Sequence, residues 1–253
     1  MIPLVGVLVL NRGDLLARMV ASIDFPVDKL AIVQNGRDDD VNGVIGEIMS
    51  KKHKHVNEIY LERPFRNTGV APAWNGIIKA FPECPYWLIA NNDTVFLPGD
   101  LEKYHHLTTG DPRTLVSAAN GAFNCFTITP EIVSAVGLFD ENIWPIYSED
   151  LDYFIRMQRA GITRMPLPSD IGHSDDGSWT IRSNPTYAAN NNATQNSNGR
   201  YVADKWGENQ QHATPWNHPG RDIRDWWYDP YRRCTHGNVW NNFEQTANKA
   251  TPT

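Results

Sequence analysis

Residues 86–95 read YWLIANNDTV. An apolar and aromatic run stops abruptly at Asn91, Asn92 and Asp93, the profile of a buried strand running out at a polar edge. A strand that is apolar on both faces demands cover on both faces, which points to an α/β protein with a mostly parallel sheet. In such sheets ligands bind outside the carboxyl ends of the strands, where an acidic side chain reaches a metal or a phosphate. The simpler reading makes Asn-Asn-Asp turn chemistry ahead of Leu97-Pro98-Gly99.

The rest of the chain has the alternation that such a sheet needs. Residues 4–10 form a continuous apolar run for a first, central strand. After Asn11, Arg12 and Gly13, the residues Leu15, Leu16, Met19, Val20 and Ile23 recur at helical spacing. A second strand at 30–33 closes on Gln34-Asn35-Gly36, with Gly36 read as a turn residue of positive φ. Val44, Ile45 and Ile48 are helix-like, and a third strand follows at 56–61. This order predicts a parallel sheet with helices on both faces. Further on, a helix is expected over 101–107. Antiparallel strands are expected at 114–118 and 123–129, joined at Asn120-Gly121, with a short helix at 130–136. Ser148 then caps a helix that buries Leu151, Phe154 and Ile155, so Glu149 and Asp150 fall in its first turn. A final helix is expected over 187–206.

A chain of 253 residues accommodates one substantial α/β domain with a small C-terminal appendage. The net charge of -6 argues against a nucleic-acid partner, which needs clustered Lys and Arg. Cys84, Cys125 and Cys234 are scattered without metal-ligand spacing, which fits a reducing, cytoplasmic setting. No apolar stretch reaches the length of a membrane span and no signal peptide is legible. The Trp- and Tyr-rich segment after Gln210 is expected to pack irregularly on the domain.

A resemblance adds to this reading. Strand, Asn91-Asn92-Asp93-Thr94, then Leu97-Pro98-Gly99-Asp100 resembles the metal-binding segment of the GT-A nucleotide-sugar glycosyltransferases, family 2 in particular, with Asn91 in place of the usual first Asp. The resemblance implies that Asp93 is a ligand of a divalent cation, with Asn91 and Asn92 as neutral oxygen donors or ribose partners. Asn67, Gly69 and Asn75 resemble the family's Asn-x-Gly segment. There a Gly ahead of a helix would open backbone N–H groups to the diphosphate, with Arg63 and Arg66 adding charge-assisted bonds. Asn11, Asn35 and Asp38, in the loops after the first two strands, complete the expected donor site. Residues 137–152 are similar to the family's Gly-x-Phe-Asp-Glu segment followed by Glu-Asp-x-Asp. By that similarity Asp150 is the general base and Glu149 orients the acceptor, and a pair of neighbouring carboxylates raises one pKa toward the range of a working base. Trp144, Tyr147 and Trp179 are the expected acceptor-binding rings. His173 resembles the histidine that completes the metal site, and an imidazole there favours Mn²⁺ over Mg²⁺. The phrase from Tyr201 to Gly207 also resembles one near the end of related transferases.

The expected organisation is therefore a GT-A domain over 1–180, with a nucleotide-sugar half at 1–97 and an acceptor half at 98–180, and an extension over 181–253. The expected activity is inverting transfer of a sugar from a nucleotide-diphosphate donor to a glycan or glycoconjugate hydroxyl. A retaining GT-A transferase and a noncatalytic nucleotide-sugar- or carbohydrate-binding protein remain the alternatives. Nucleobase, sugar, acceptor and oligomeric state are not legible in the chain.

Overall fold

The computed structural model describes residues 1–36, 38–119, 123–168, 172–173 and 185–206. The chain alternates from the start: β1 (Ile2–Val9), α1 (Gly13–Ala21), β2 (Val27–Gln34), α2 (Asp39–Ser50), β3 (Val56–Glu62), α3 (Val70–Ala80) and β4 (Trp87–Asn91). It continues with β5 (Thr94–Val95), α4 (Asp100–Gly110), β6 (Thr114–Ser117), β7 (Cys125–Ile128), α5 (Pro130–Val136), α6 (Glu149–Arg159), β8 (Thr163–Pro166) and β9 (Gly172–His173). A last described helix, here α7, spans Pro185–Trp206.

Seven strands form one sheet in the order β3-β2-β1-β4-β7-β6-β8. The first four are mutually parallel, β7 runs antiparallel between β4 and β6, and β8 pairs parallel with β6. The expected mixed, mostly parallel sheet is thus present, with the antiparallel insertion at the strands where it was predicted. β2 begins earlier than its apolar run because the backbone at Val27 and Lys29 already pairs with Ile2 and Leu4 of β1 and with Val56 and Glu58 of β3.

Each face of the sheet has its own core. On one side Val5, Val7 and Val9 meet Leu16 and Met19 of α1, Ile45 of α2 and Tyr104 of α4. On the other, Leu4, Ile89, Phe126 and Ile128 meet Trp74 and Ile77 of α3, Ile132 of α5, and Tyr153 and Met157 of α6. Alternating side chains along β7 divide between these cores, Cys125 to the first and Phe126 to the second. Cys84 and Cys125 are buried free thiols. Cys234 and the aromatic segment after Gln210 lie outside the described residues.

α7 is fastened to the domain by a buried charge cluster. Lys205 Nζ lies 2.7 Å from Asp140 and 2.6 Å from Asp152, and all three side chains are almost fully buried. Tyr201 donates to Asp140, Trp206 donates to Asp152, and Arg156 pairs with Asp152 one helical turn away. Two carboxylates thus face two cations, which balances the charge that burial would otherwise penalise. Burial by itself would raise the Asp152 pKa, but Lys205 and Arg156 outweigh it and hold the carboxyl below its ordinary range. The phrase Tyr201–Trp206 therefore has a structural reason, since Tyr201, Lys205 and Trp206 are its docking side chains. Among the described residues, no helix is long and apolar enough to cross a membrane.

Candidate active site at the carboxyl edge of the sheet

Parallel β1 to β4 present their carboxyl ends on one edge, and the loops that follow them are stitched together. Asn92 donates to the backbone carbonyl of Asn11 at 3.1 Å, tying the turn after β4 to the loop after β1. Asn35, at the end of β2, donates to Gly69 and accepts from the Thr68 hydroxyl, tying that loop to the segment ahead of α3. Gly36 is needed here for close approach rather than for a positive φ, because a Cβ on it would sit 1.4 Å from the Leu10 carbonyl oxygen. The positive φ expected at Gly36 is absent, and the need for glycine there is steric.

The segment ahead of α3 departs from the expected anion cradle. Gly69 has φ +87°, and a Cβ there would come 2.6 Å from the Trp144 ring, so the indole packs directly on this glycine. The Val70 N–H donates to the Pro145 carbonyl at 2.8 Å, and the Gly69 N–H donates to Asn67 Oδ1 at 2.9 Å. The N–H groups of Gly69 and Val70 are thus committed to protein acceptors. Asn75 is fully buried and exchanges two hydrogen bonds with the Phe139 backbone, with a third to Glu141. Gly69 and Asn75 therefore join α3 to the segment carrying the second acidic cluster, rather than facing a ligand as expected. Trp144 is likewise an internal wedge, 7 % exposed, and not an open acceptor platform. Arg63 and Arg66 are exposed near this edge, Arg63 bonding Gln34 at 2.8 Å. Asp38 is exposed just before α2.

The contacts of Gly69 and Val70 bring residues 144–148 to the same edge as Asp93. The approach to α6 is backbone-strained: Tyr147 and Ser148 have φ of 73° and 77°. Non-glycine residues rarely hold such angles unless surrounding contacts fix them. The fixing contact comes from α7, where the Asn198 amide nitrogen lies 3.3, 2.9 and 3.1 Å from the carbonyls of Trp144, Ile146 and Tyr147. Asn198 was not singled out from the sequence, because an Asn in an Asn-rich helix has no signal of its own. Ser148 takes the expected cap position, but without a side-chain capping bond.

Buried polar groups without a protein partner mark where a ligand can be received. Asp93 is 5 % exposed and its Oδ1 has no hydrogen-bond partner. Glu149 is 6 % exposed and its Oε2 is similarly unpartnered. Burial, reinforced by the neighbouring Asp150 charge, pushes the Glu149 carboxyl up to about 8. Of the expected neighbouring pair, Glu149 carries the raised carboxyl and turns into the protein, while Asp150 is half-buried and accepts from the Leu151 N–H at 2.8 Å.

Asn91 is half-buried at the end of β4. Directly after Asp93, β5 pairs antiparallel with β9, setting Thr94 opposite His173 in the backbone register. The backbone of His173 is thereby beside the Asp93 turn. Trp179 lies outside the described residues.

No family model matches the sequence, and no curated protein matches it. Solved structures do match the fold. A mannosyltransferase from Pyrobaculum calidifontis, in complex with GDP-Man and Mn²⁺, superposes with a TM-score of 0.59 at 13% identity, over 99% of this chain and 76% of that one. GalNAc-T7 with UDP, GalNAc and Mn²⁺ gives 0.64 at 12% identity, over 93% and 55%. TarS of S. aureus gives 0.52 at 12%, over 66% and 35%. The chain has the GT-A fold. This agrees with the strand order, in which the Asp93 turn and the start of α6 meet the same sheet edge. The chain spans about half of GalNAc-T7 and about a third of TarS, so the likeness extends over only part of those proteins.

Proposed function

We propose that this GT-A chain transfers a sugar from a nucleoside-diphosphate donor to an acceptor hydroxyl with inversion at the anomeric carbon. The observation that carries the reading is the pair of buried carboxylates at one sheet edge, Asp93 and Glu149, each with an oxygen that no protein group partners. Uncompensated buried acids are destabilising unless something arrives to meet them. The structural neighbours crystallised with Mn²⁺ and with GDP-Man, or with UDP and GalNAc, give the chemistry to test first.

Asp93 fits a divalent cation as a hard oxygen donor in the turn between β4 and β5. Among the described residues no cluster of three His, Cys, Asp or Glu side chains stands ready to hold a metal alone. Asp93, joined by His173, would therefore share a cation with the diphosphate oxygens of the donor. When bound, the cation supplies positive charge against the departing nucleoside diphosphate, Mn²⁺ being preferred if the imidazole is a ligand.

Asp150 accepts the proton of the acceptor hydroxyl as its oxygen attacks the anomeric carbon from the face opposite the leaving group. The bond from that carbon to the phosphate oxygen breaks, and the nucleoside diphosphate leaves with the electron pair. Glu149, held neutral at pH 7 by its surroundings, keeps a second negative charge away from Asp150 and donates a hydrogen bond to the acceptor. Tyr147, half-buried at the mouth of this segment, is the acceptor-side ring.

Asp150→Asn tests the assignment directly. Donor affinity, measured by calorimetry with Mn²⁺ present, is expected to stay within about twofold while turnover falls by a factor on the order of 10² to 10⁴. Normal turnover in that variant would remove Asp150 from the role of base. The anomeric configuration of the product, read by NMR, separates inversion from retention.

A further inference from the structure

Asn124 is a buried amide that the fold leaves entirely unanswered. It is 6 % exposed, and neither its Nδ2 nor its Oδ1 has a hydrogen-bond partner. Native proteins seldom bury both ends of an amide unbonded. Its main chain, by contrast, is well used: the Asn124 carbonyl accepts from the Asn91 N–H at 2.7 Å and from the Thr94 hydroxyl at 3.2 Å. Asn124 thus braces the two ends of the turn that carries Asp93, whose Oδ1 is also unpartnered. Asn124 occupies the turn directly ahead of β7, next to Phe123, whose ring packs on Phe126 at 4.9 Å. Glu149, with the third unpartnered oxygen, is the first residue of α6.

The donor and acceptor pattern of the amide narrows what answers it. A phosphate offers only acceptors and would leave Oδ1 empty. A cation would engage Oδ1 and face Nδ2 unfavourably. A pair of adjacent sugar hydroxyls both accepts and donates, so it answers both ends of one amide. We propose that Asn124 reads two neighbouring hydroxyls of the sugar being transferred, and so sets which donor sugar this chain accepts. The inference rests on the glycosyl-transfer reading above and adds to it a specificity residue.

The test uses calorimetric binding to the full chain with Mn²⁺, comparing UDP with UDP-glucose, GDP with GDP-mannose, and dTDP with dTDP-glucose. For whichever pair the wild type binds, Asn124→Ala is expected to hold the bare nucleoside diphosphate within about twofold and to weaken the nucleotide sugar at least tenfold. Deoxy analogues of that donor, lacking one ring hydroxyl each, are expected to bind wild type at least tenfold less tightly at two adjacent positions, and to lose this discrimination in Asn124→Ala. Thermal unfolding without ligand should show the variant as stable as wild type or more so, since an unbonded buried amide is removed. Equal weakening of diphosphate and nucleotide sugar, or no change in either, overturns the role of Asn124 while leaving glycosyl transfer standing. A fall in stability without ligand also overturns it, and the deoxy series on wild type still decides should that variant not fold. If wild type binds none of the six compounds, the transfer reading falls first and takes this one with it.

Discussion

At Glu149 the chain buries one acid beside another and gives an oxygen of it no protein partner. The unfolded chain releases this proton near 4.5, whereas the native protein keeps it to about 8. The native state therefore binds more protons between those values, and stability falls as pH rises from about 4.5 to about 8, then levels off. Glu149→Gln has no such proton to lose. Denaturant unfolding at pH 5 and pH 8.5 is expected to show the wild type losing a few kcal/mol more than the variant, and parallel losses would contradict the buried neutral acid. Some of these residues are legible in the sequence because they end apolar runs: Asp93 closes the run from Tyr86, and Glu149 follows Trp144-Pro-Ile-Tyr. Asn124 is not, since an Asn beside a hairpin signal reads as turn chemistry until a sheet closes around it. Gly69 and Asn75 are conspicuous for a different reason. Their side chains, or the lack of one, serve contacts with Trp144 and Phe139 some seventy residues away, which no local pattern encodes.

Between elements, the decisive joint is the one linking α3, residues 144–148 and α7. Spacing revealed most of the helices and the longer strands, because 3.6- and 2-residue periods are local properties, but not the short β5, β8 and β9. The joint itself rests on main-chain carbonyls of Trp144, Ile146 and Tyr147 meeting one amide of α7, and carbonyls are present at every position of every sequence. Asn198→Ala is expected to cost about 1 to 2 kcal/mol in unfolding free energy, typical of lost hydrogen bonds to buried carbonyls. It should also release the positive-φ pair at Tyr147 and Ser148, so that the Glu149 carboxyl becomes better hydrated and its apparent pKa drops toward the ordinary value. A carboxyl titration followed by NMR checks this, and an unmoved Glu149 pKa would mean that α7 does not hold the approach to α6. Gly69→Ala acts from the other side of the joint. With φ +87° and Trp144 2.6 Å from the new methyl, it is expected to destabilise by roughly 2 kcal/mol or more in denaturant unfolding.

At the level of the molecule, the C-terminal segment read from sequence as an appendage contributes to the domain's interior at least through Trp206. Lys205→Met keeps the length of the side chain and removes its charge, leaving Asp140 and Asp152 with one buried cation between them. The expected loss is about 3 to 5 kcal/mol, read from urea midpoints, and restoring neutrality with Asp140→Asn in the same chain should recover part of it. A near-neutral Lys205→Met would show that the cluster admits water.

The Asn198 clasp also has a bearing on how the protein is made. On the ribosome the seven strands emerge by Pro166, yet the bend that aims the acids of α6 is gripped by a side chain synthesised more than thirty residues later. The scaffold can be assembled while its working edge is still unfinished, so a nascent chain passes through a stage that is built but not armed.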